Sequence, residues 1–326
     1  MWRVHSGQNL SGTSTDSRTR YIKRFIGGTE ETLPAFLFDW IPAYAGMTRK
    51  PCHLFTAGGV SGTMRTVSNN PQKFLEVALE AVEKAGPIFR ASFGHPPVVY
   101  TKGGSIDVVT DADREIEKLL ITEIKKHFPD HDIVGEEFSP DVKPTASYHW
   151  YVDPIDGTRM FVHGLPTCCI SVGVCDREGP LAGVVCNPET RELFTAIRGK
   201  GAFKNGKPIV VSKAATLLSS FGGLGWTNNK ESGEFFGKLV PAIGKVRALG
   251  SSAYQLCLVA EGRMDFFIVS GVHSWDVAAG VLIAKEAGAT LTNFEGKPYD
   301  ISSQRLLATN GTLHTEFVAV IQKSGV

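Results

Sequence analysis

The chain has 326 residues, of which 42% are hydrophobic and 21% charged, and its formal net charge is +1. This composition predicts a globular protein with a large core, and the near-neutral charge argues against a nucleic-acid binder. No apolar run approaches the length that spans a bilayer, so we expect no membrane partner.

The six cysteines include no C-x-x-C pair, and most of them lie in apolar, strand-like runs. A zinc site or a disulfide framework is therefore poorly supported. Buried free thiols in a reducing cytoplasm are the better interpretation. The cysteines are Cys52, Cys168, Cys169, Cys175, Cys186 and Cys257.

Residues 1–65 differ from the rest, because Ser, Thr, Gly and Arg dominate the start without a helical or strand period. The segment 40–48 resembles the translated product of dispersed bacterial repeat elements, which implies a bacterial origin. We predict a poorly structured N-terminal extension, or a misassigned start, in which residues 1–63 take no part in the active site. Met64 precedes a clean domain start.

Two helices are predicted next. Apolar residues at helical spacing over residues 70–85 indicate a core-facing helix, which Gly86-Pro87 is expected to end. Thr110 or Asp111 then caps a second amphipathic helix, which places Asp113 in its first turn. The helix dipole is by itself a sufficient reason for an acid at this position.

The most informative stretch runs from His149 to Thr158. Its first four residues, 149–152, indicate a buried strand that ends at Asp153. Asp156 and Gly157 then turn the chain, and Thr158 is expected to cap a new helix. Two carboxylates at one turn repel unless a cation lies between them, and the N–H groups of a helix start favour phosphate. The stretch therefore indicates metal-assisted phosphoryl chemistry, although an ordinary turn would have the same residues.

Two further acidic stretches have both an ordinary and a catalytic interpretation. Gly135-Glu136-Glu137 ends a short strand, where a solvated turn would suffice. Asp276 lies in the first turn of a helix that opens near His273, where the dipole alone favours an acid.

Between these stretches the pattern predicts an antiparallel meander and a hairpin, and beyond residue 215 strands and helices alternate. We therefore divide the folded region into an N-terminal α+β half, 66–215, and a C-terminal α/β half, 216–326. The meander strands are Cys168–Val174, Leu181–Cys186 and Glu192–Ile197, and the hairpin spans Gly199–Pro208.

Three of these motifs, in this order, closely resemble the signatures of the inositol monophosphatase family of magnesium-dependent phosphatases. They are Gly135-Glu136-Glu137, Asp153-Pro154-Ile155-Asp156-Gly157-Thr158 and Trp275-Asp276-Val277-Ala278-Ala279-Gly280. Asp107 to Asp113 resembles the family's preceding motif, and the resemblance extends from about residue 70 to the C-terminus. It implies an α+β fold, a layered α/β/α/β/α sandwich of the sugar-phosphatase type, and a homodimer.

The resemblance also implies the roles of particular residues. Metal ligands would be Glu136, Asp153, the carbonyl of Ile155, Asp156 and Asp276, holding two to three Mg²⁺ ions per subunit. Catalytic residues would be Thr158 and Asp113, which hold and deprotonate the attacking water, together with Glu136 at a looser third ion. Substrate contacts would be Gly157, Thr158, Asp156, Asp276, Lys102, Gly250 and Ser251. Arg159, at which the chain departs from the family, could also contact a more anionic substrate.

By this resemblance the function is Mg²⁺-dependent hydrolysis of inositol-1-phosphate, or a related small polyol monophosphate, by in-line attack of metal-activated water. Lithium sensitivity is a family expectation. A haloacid-dehalogenase-type phosphatase is rejected, because the acids are spaced Asp-x-x-Asp and not Asp-x-Asp.

The substrate remains open, because the chain departs from the inositol-specific pattern at two positions. Val269 stands where those members have an acid that holds ring hydroxyls, and Arg159 stands where many have a small residue. Histidinol-phosphate, sugar-phosphate and nucleotide-phosphate hydrolysis are therefore alternatives. A non-catalytic regulatory module on the same fold is the alternative from another class.

Overall fold

A computed structural model describes residues 70–97, 99–102, 107–226 and 229–325. The predicted extension at residues 1–65 lies outside the described residues. Within the part of the chain that is described, no helix is both long and apolar enough to cross a bilayer.

Seven α-helices and fourteen strands are described in residues 70–325. The helices are α1 (Pro71–Ser92), α2 (Asp111–His127), α3 (Thr158–Val162), α4 (Lys230–Leu239), α5 (Ser252–Ala260), α6 (Ser274–Glu286) and α7 (His314–Lys323). The strands are β1 (Val99–Lys102), β2 (Asp107–Thr110), β3 (Asp132–Gly135), β4 (His149–Asp156), β5 (Cys169–Asp176), β6 (Gly179–Asn187), β7 (Glu192–Ile197), β8 (Ala202–Lys204), β9 (Lys207–Pro208), β10 (Phe221–Gly225), β11 (Lys245–Arg247), β12 (Phe266–Ser270), β13 (Thr290–Thr292) and β14 (Arg305–Thr309).

The larger sheet has seven strands in chain order, β3 to β9. Strands β3 and β4 are parallel, and each later neighbour is antiparallel. The predicted meander is therefore confirmed. So is the hairpin, whose strands β8 and β9 flank Asn205 and Gly206, two residues with positive φ of the kind a tight turn requires.

The smaller of the two main sheets has five strands in the order β11-β10-β12-β14-β13, and β1 and β2 form a separate antiparallel pair. Strand β10 is parallel to both β11 and β12, whereas β14 is antiparallel to β12 and β13. The change of sheet near residue 215 supports our proposal of two halves, 66–215 and 216–326.

Helices lie between and outside the two sheets. Helices α1 and α2 pack on the larger sheet, α5 and α6 pack on each other between the sheets, and α6 contacts β4 to β7. A separate core joins α4 and α7 to the other face of the smaller sheet, through Phe236, Phe266 and Phe317 among others. This is the predicted α+β layered α/β/α/β/α sandwich.

Helix α6 lies close to the larger sheet because small residues face each other there. A Cβ added at Gly173 would lie 2.9 Å from the backbone nitrogen of Ala279 and 3.0 Å from the Cβ of Ala278. A Cβ added at Gly183 would lie 3.0 Å from the Cα of Ala279. This seam positions the start of α6, and with it Asp276.

The predicted end of α1 at Gly86-Pro87 is wrong, because the helix continues through Pro87 to Ser92. Proline removes one helical hydrogen bond and usually breaks a helix. Here the extra turn buries Phe89 completely, with its ring 4.8 Å from that of Phe161. The burial of the Phe89 ring offsets the helical hydrogen bond that Pro87 removes.

Two details of the central stretch also differ from the prediction. Strand β4 continues beyond residue 152 to Asp156. Thr158 is the first residue of α3 and not its cap, since Gly157 occupies the capping position with φ of 93°. Glycine is the residue that adopts this backbone conformation without strain.

Candidate active site

A disruption of strand pairing brings the first two carboxylates to one place. Asp153 pairs with Ser171 and Asp156 with Cys169, so β4 has an extra residue between these two pairs, as in a β-bulge. The backbone N–H of Ile155 donates to Asp153 Oδ1 at 3.0 Å. The bulge therefore re-aims the chain so that both acids lie at the same end of the strand.

The start of helix α5 holds Asp156. Ser251 Oγ and the backbone N–H of Ala253 both donate to Asp156 Oδ2 at 2.6 Å, and the N–H of Ser252 donates to Oδ1 at 3.2 Å. Ser251 also caps α5 by accepting from the N–H of Tyr254 at 3.1 Å. The free N–H groups and positive dipole end of a helix suit a carboxylate.

Asp276 reaches the same place from helix α6. It lies in the first turn, where its Oδ2 accepts a hydrogen bond from the backbone N–H of His273 at 2.7 Å. This bond fixes one carboxylate oxygen at the helix start, as in a capping box.

Glu136 lies in the turn after β3, and a second acid holds that turn. Glu117 of α2, which is fully buried, accepts hydrogen bonds from the backbone N–H groups of Glu137 at 2.7 Å and Phe138 at 3.0 Å. Gly135 leaves the room for this contact, since a Cβ there would lie 2.2 Å from Glu117 Oε1. Glu117 therefore positions the segment that carries Glu136.

Thr158 and Asp113 form a pair at the edge of the site. Thr158 Oγ1 lies 3.2 Å from Asp113 Oδ1 and 3.1 Å from the carbonyl oxygen of Ile155. Asp113 is fully buried, and its Oδ2 accepts from the backbone N–H of Thr110 at 2.7 Å and from Thr110 Oγ1 at 2.6 Å. These bonds cap α2 and fix the direction in which Asp113 faces Thr158.

These groups surround a cavity of about 470 Å³. Ten of the predicted metal, catalytic and substrate-binding residues line it: Glu136, Asp153, Ile155, Asp156, Gly157, Thr158, Arg159, Gly250, Ser251 and Asp276. Asp113 adjoins it through Thr158. Lys102 lies at the end of β1, whose side chains are outside the described part of the structure, so its role stays a prediction.

Burial raises the pKa of four of these acids, Asp113, Asp153, Asp156 and Asp276. Burial raises the pKa of Asp153 well above its ordinary value, and the charges of Glu136 and Asp156 raise it further. Burial also raises the pKa of Asp156 to about 6, even though the hydrogen bond from Ser251 lowers it.

The pKa values of the acids at the starts of α2 and α6 are also raised. The pKa of Asp276 lies well above its usual range, because of burial first and then the charge of Asp156. The pKa of Asp113 is raised by burial to about 6, against the lowering effect of its bonds from Thr110. Such crowding of perturbed carboxylates is a mark of a functional site.

The donor set suits a hard divalent cation. It consists of carboxylate oxygens and the main-chain carbonyl of Ile155, and the cavity lining includes neither His nor Cys. In the described ranges, no group of three or more His, Cys, Asp or Glu side chains is close enough together to hold a metal ion by itself. Mg²⁺ keeps several of its waters and rarely occupies an all-protein cage, so an open arrangement of carboxylates fits it.

Sequence reasoning missed two residues of this site and misjudged a third. Glu117 shares the buried face of α2 with Asp113, four residues away, and this spacing was the signal for it. Gln255, which lines the cavity, follows no motif. Ser251 was predicted only as a substrate contact, whereas its hydroxyl donates to Asp156.

The fold and the cavity together define a phosphoric monoester hydrolase of the layered sandwich type. The sequence profile described as "Inositol monophosphatase family" matches residues 70–325. The chain belongs to that family, whose members depend on metal ions and act on small phosphate esters. The family predicted from the three motifs is confirmed, as is the prediction of an enzyme.

Relatives with assigned names support the same conclusion. Inositol monophosphatase 1 of Solanum lycopersicum is 42% identical over 263 residues, which cover 78% of this chain and 96% of the relative. The fructose-1,6-bisphosphatase/inositol-1-monophosphatase of Thermotoga maritima is 36% identical over 249 residues, 76% of this chain and 96% of the relative. A solved IMPase structure from Thermotoga maritima superposes with a TM-score of 0.71 at 35% identity, covering 77% of this chain and 98% of that one.

Proposed function

We propose that the protein hydrolyses inositol-1-phosphate or a related small polyol monophosphate, with Mg²⁺ and with water as the nucleophile. The observation that carries this proposal is that Glu136, Asp153, Asp156 and Asp276 line one cavity with Thr158. Bound Mg²⁺ would neutralise the charge on the phosphate oxygens and lower the pKa of a water in the site.

The chain's own residues have distinct tasks in this proposal. Asp153, Asp156, Asp276, Glu136 and the Ile155 carbonyl hold the cations. Thr158 and Asp113 orient the attacking water. Asp113 accepts the proton of that water by way of Thr158, across the 3.2 Å contact between Thr158 Oγ1 and Asp113 Oδ1. The N–H groups of Gly157 and Thr158, at the start of α3, face the phosphate. Because no side chain is required as nucleophile, the reaction is a single in-line displacement.

A sugar phosphate is the second candidate for the substrate. Arg159 lines the cavity and is exposed, so a second anionic group on the substrate would meet a cation there. The Thermotoga maritima relative at 36% identity is named for both fructose-1,6-bisphosphate and inositol-1-phosphate. This name and the position of Arg159 support testing the bisphosphate beside the polyol phosphate.

The test is phosphate release from a panel of monoesters with Mg²⁺, with EDTA, and with Mg²⁺ plus lithium. We expect the highest kcat/KM for inositol-1-phosphate and loss of activity in EDTA. Equal activity with and without EDTA would contradict the proposal. A higher kcat/KM for fructose-1,6-bisphosphate or histidinol-phosphate would change the proposed substrate and leave the proposed mechanism unchanged.

The nucleophile can be tested separately by a single turnover in ¹⁸O-labelled water. Direct attack by water places one label in the released phosphate and leaves no phosphoenzyme. A radiolabelled phosphoenzyme trapped at Asp153 would show a covalent route instead.

We also propose a reducing cytoplasm as the location, which the free thiols of the five described cysteines support. The prediction of buried free thiols is confirmed for these five, and Cys52 lies outside the described residues. Homodimerisation, lithium sensitivity and bacterial origin stay predictions.

A further inference from the structure

Gln255 has a buried amide oxygen for which the described residues provide no hydrogen-bond partner. The residue lies on α5, is 1% exposed and lines the cavity. Its Nε2 donates to the carbonyl oxygen of Ser251 at 2.9 Å, which folds the side chain back over the first turn of the helix. Its Oε1 has no partner among the described residues.

The chain makes room for this oxygen. A Cβ added at Gly223 on β10 would lie only 2.4 Å from Gln255 Oε1, so glycine is what lets the amide lie there. The two residues that follow, Leu224 and Gly225, line the cavity. The unpartnered oxygen therefore lies between the first turn of α5 and Gly223 in the middle of β10, and the residue that carries it is one of those that line the cavity.

In the described part of the chain, no group compensates the burial of this oxygen. Buried carbonyl oxygens are nearly always hydrogen-bonded, and leaving one unpaired is costly. At the same wall Val269 is 3% exposed and offers no acceptor to a substrate. A hydrogen-bond donor on the ligand would satisfy the amide oxygen of Gln255. This contact would replace the one that an acidic side chain at position 269 makes with a ring hydroxyl in inositol-specific members.

We propose that Gln255 is a specificity-determining residue, whose side-chain amide oxygen accepts a hydrogen bond from a hydroxyl group of the substrate's alcohol. This inference rests on the proposed function and refines it. Sites built to pair with a substrate hydroxyl discriminate strongly against analogues that lack it, because the buried partner is then left unsatisfied. The preferred substrates are thus phosphate esters of polyols, and esters of alcohols without a second hydroxyl are disfavoured.

Two variants separate this role from a structural one. Gln255→Met and Gln255→Glu both lose the Nε2 donor to Ser251, but only the glutamate keeps an acceptor oxygen. We expect Gln255→Met to lower kcat/KM for inositol-1-phosphate about tenfold and to leave phenyl phosphate within about twofold. Gln255→Glu should retain the preference for inositol-1-phosphate over phenyl phosphate.

The wild-type enzyme provides a second test that needs no variant. Among inositol-1-phosphates that each lack one hydroxyl, one analogue should lose about tenfold in kcat/KM. That same analogue should lose nothing further in Gln255→Met, because the two changes remove the same contact.

Three results would overturn the inference. These are an equal loss on both substrates in both variants, an unchanged kcat/KM for inositol-1-phosphate in Gln255→Met, and full additivity between the variant and every deoxy analogue. If the wild type hydrolyses phenyl phosphate but not inositol-1-phosphate, the polyol specificity is wrong while the phosphatase stands. If it hydrolyses neither, the proposed function itself fails.

Discussion

The hydroxyl group of Ser251 donates a hydrogen bond to Asp156 across the cavity wall, with an oxygen–oxygen distance of 2.6 Å. The two residues are 95 positions apart in the chain. The contact joins the larger sheet, through β4, to the first turn of α5. It therefore couples the position of a proposed metal ligand to the packing between the sheets.

Replacing Ser251 with alanine should weaken cation binding. The change removes one of the hydrogen bonds that orient Asp156 and also removes the cap of α5. We expect the Mg²⁺ concentration for half-maximal activity to rise by about tenfold or more. Titration of activity with Mg²⁺ measures this, with Ser251→Thr as the control that keeps the hydroxyl. An unchanged Mg²⁺ requirement in Ser251→Ala would contradict this role.

Removing a single proposed metal ligand should abolish turnover and spare the fold. Asp156→Asn and Asp276→Asn each delete one negative charge from the cavity while the surrounding residues remain. We expect kcat to fall by at least about 10³-fold, as for loss of preorganised electrostatic stabilisation. Phosphate release under saturating substrate and Mg²⁺ is the measurement.

Asp141→Asn is the matched control, because it also removes one carboxylate but lies exposed and away from the cavity lining. Its turnover should match the wild type. Near wild-type turnover in either Asp156→Asn or Asp276→Asn would count against the assignment of these ligands.

Local pattern sufficed for much of the fold. The meander strands, the α/β alternation after residue 215 and the capped start of α2 follow from hydrophobic period and capping residues. The end of α1 did not follow, because the burial of Phe89 against Phe161 is a tertiary contact that outweighs the local effect of Pro87.

The residues of the site likewise fall into those that the sequence predicts and those that it does not. The acids were predictable because they carry motifs, and the cavity contains Glu136, Asp153, Asp156 and Asp276 together. The groups that hold or complement them were not, since Ser251 and Gln255 meet the site only through the packing of α5 between the sheets. Long-range placement of this kind leaves no periodic trace in the sequence.

The small-residue seam under α6 should tolerate no added methyl group. In Gly173→Ala the new Cβ would approach the backbone of Ala279 at 2.9 Å, so the helix must move away from the sheet. We expect a loss of about 1–3 kcal/mol in the free energy of unfolding, and lower activity because Asp276 moves with the helix. Chemical denaturation measures the stability.

Gly233→Ala is the matched control for that substitution. Gly233 lies inside α4 with open space around it, so alanine should raise the free energy of unfolding by about 0.5–1 kcal/mol. If both substitutions changed stability alike, the close packing of α6 on the sheet would be disproved.

The crowded carboxylates should make the metal-free protein less stable as pH rises. The pKa of Asp113 and that of Asp156 are each raised to about 6 in the folded state from 3.8. A carboxyl group whose pKa is higher in the folded state stabilises the fold fully at pH values below its unfolded-state pKa. This contribution is lost as pH rises through the folded-state pKa of about 6. We therefore expect the two groups to reduce stability progressively between about pH 4 and pH 6.

The measurement is the denaturant midpoint of wild type minus that of Asp156→Asn, in EDTA, across this pH range. The difference should become more unfavourable to the wild type with rising pH, because asparagine carries no charge to bury. Saturating Mg²⁺ should reverse the trend by binding the ionised carboxylates. A difference that does not change with pH would contradict the perturbed pKa values.

The central claim is that Glu136, Asp153, Asp156 and Asp276 together hold divalent cations. The most direct measurement is crystallographic anomalous scattering from crystals soaked in Mn²⁺, which replaces Mg²⁺ at oxygen-ligand sites. We expect strong anomalous peaks within about 2.0–2.4 Å of these carboxylate oxygens, with a pair of ions about 3.5–4 Å apart. Anomalous peaks elsewhere in a catalytically active crystal, with none among these four side chains, would contradict it.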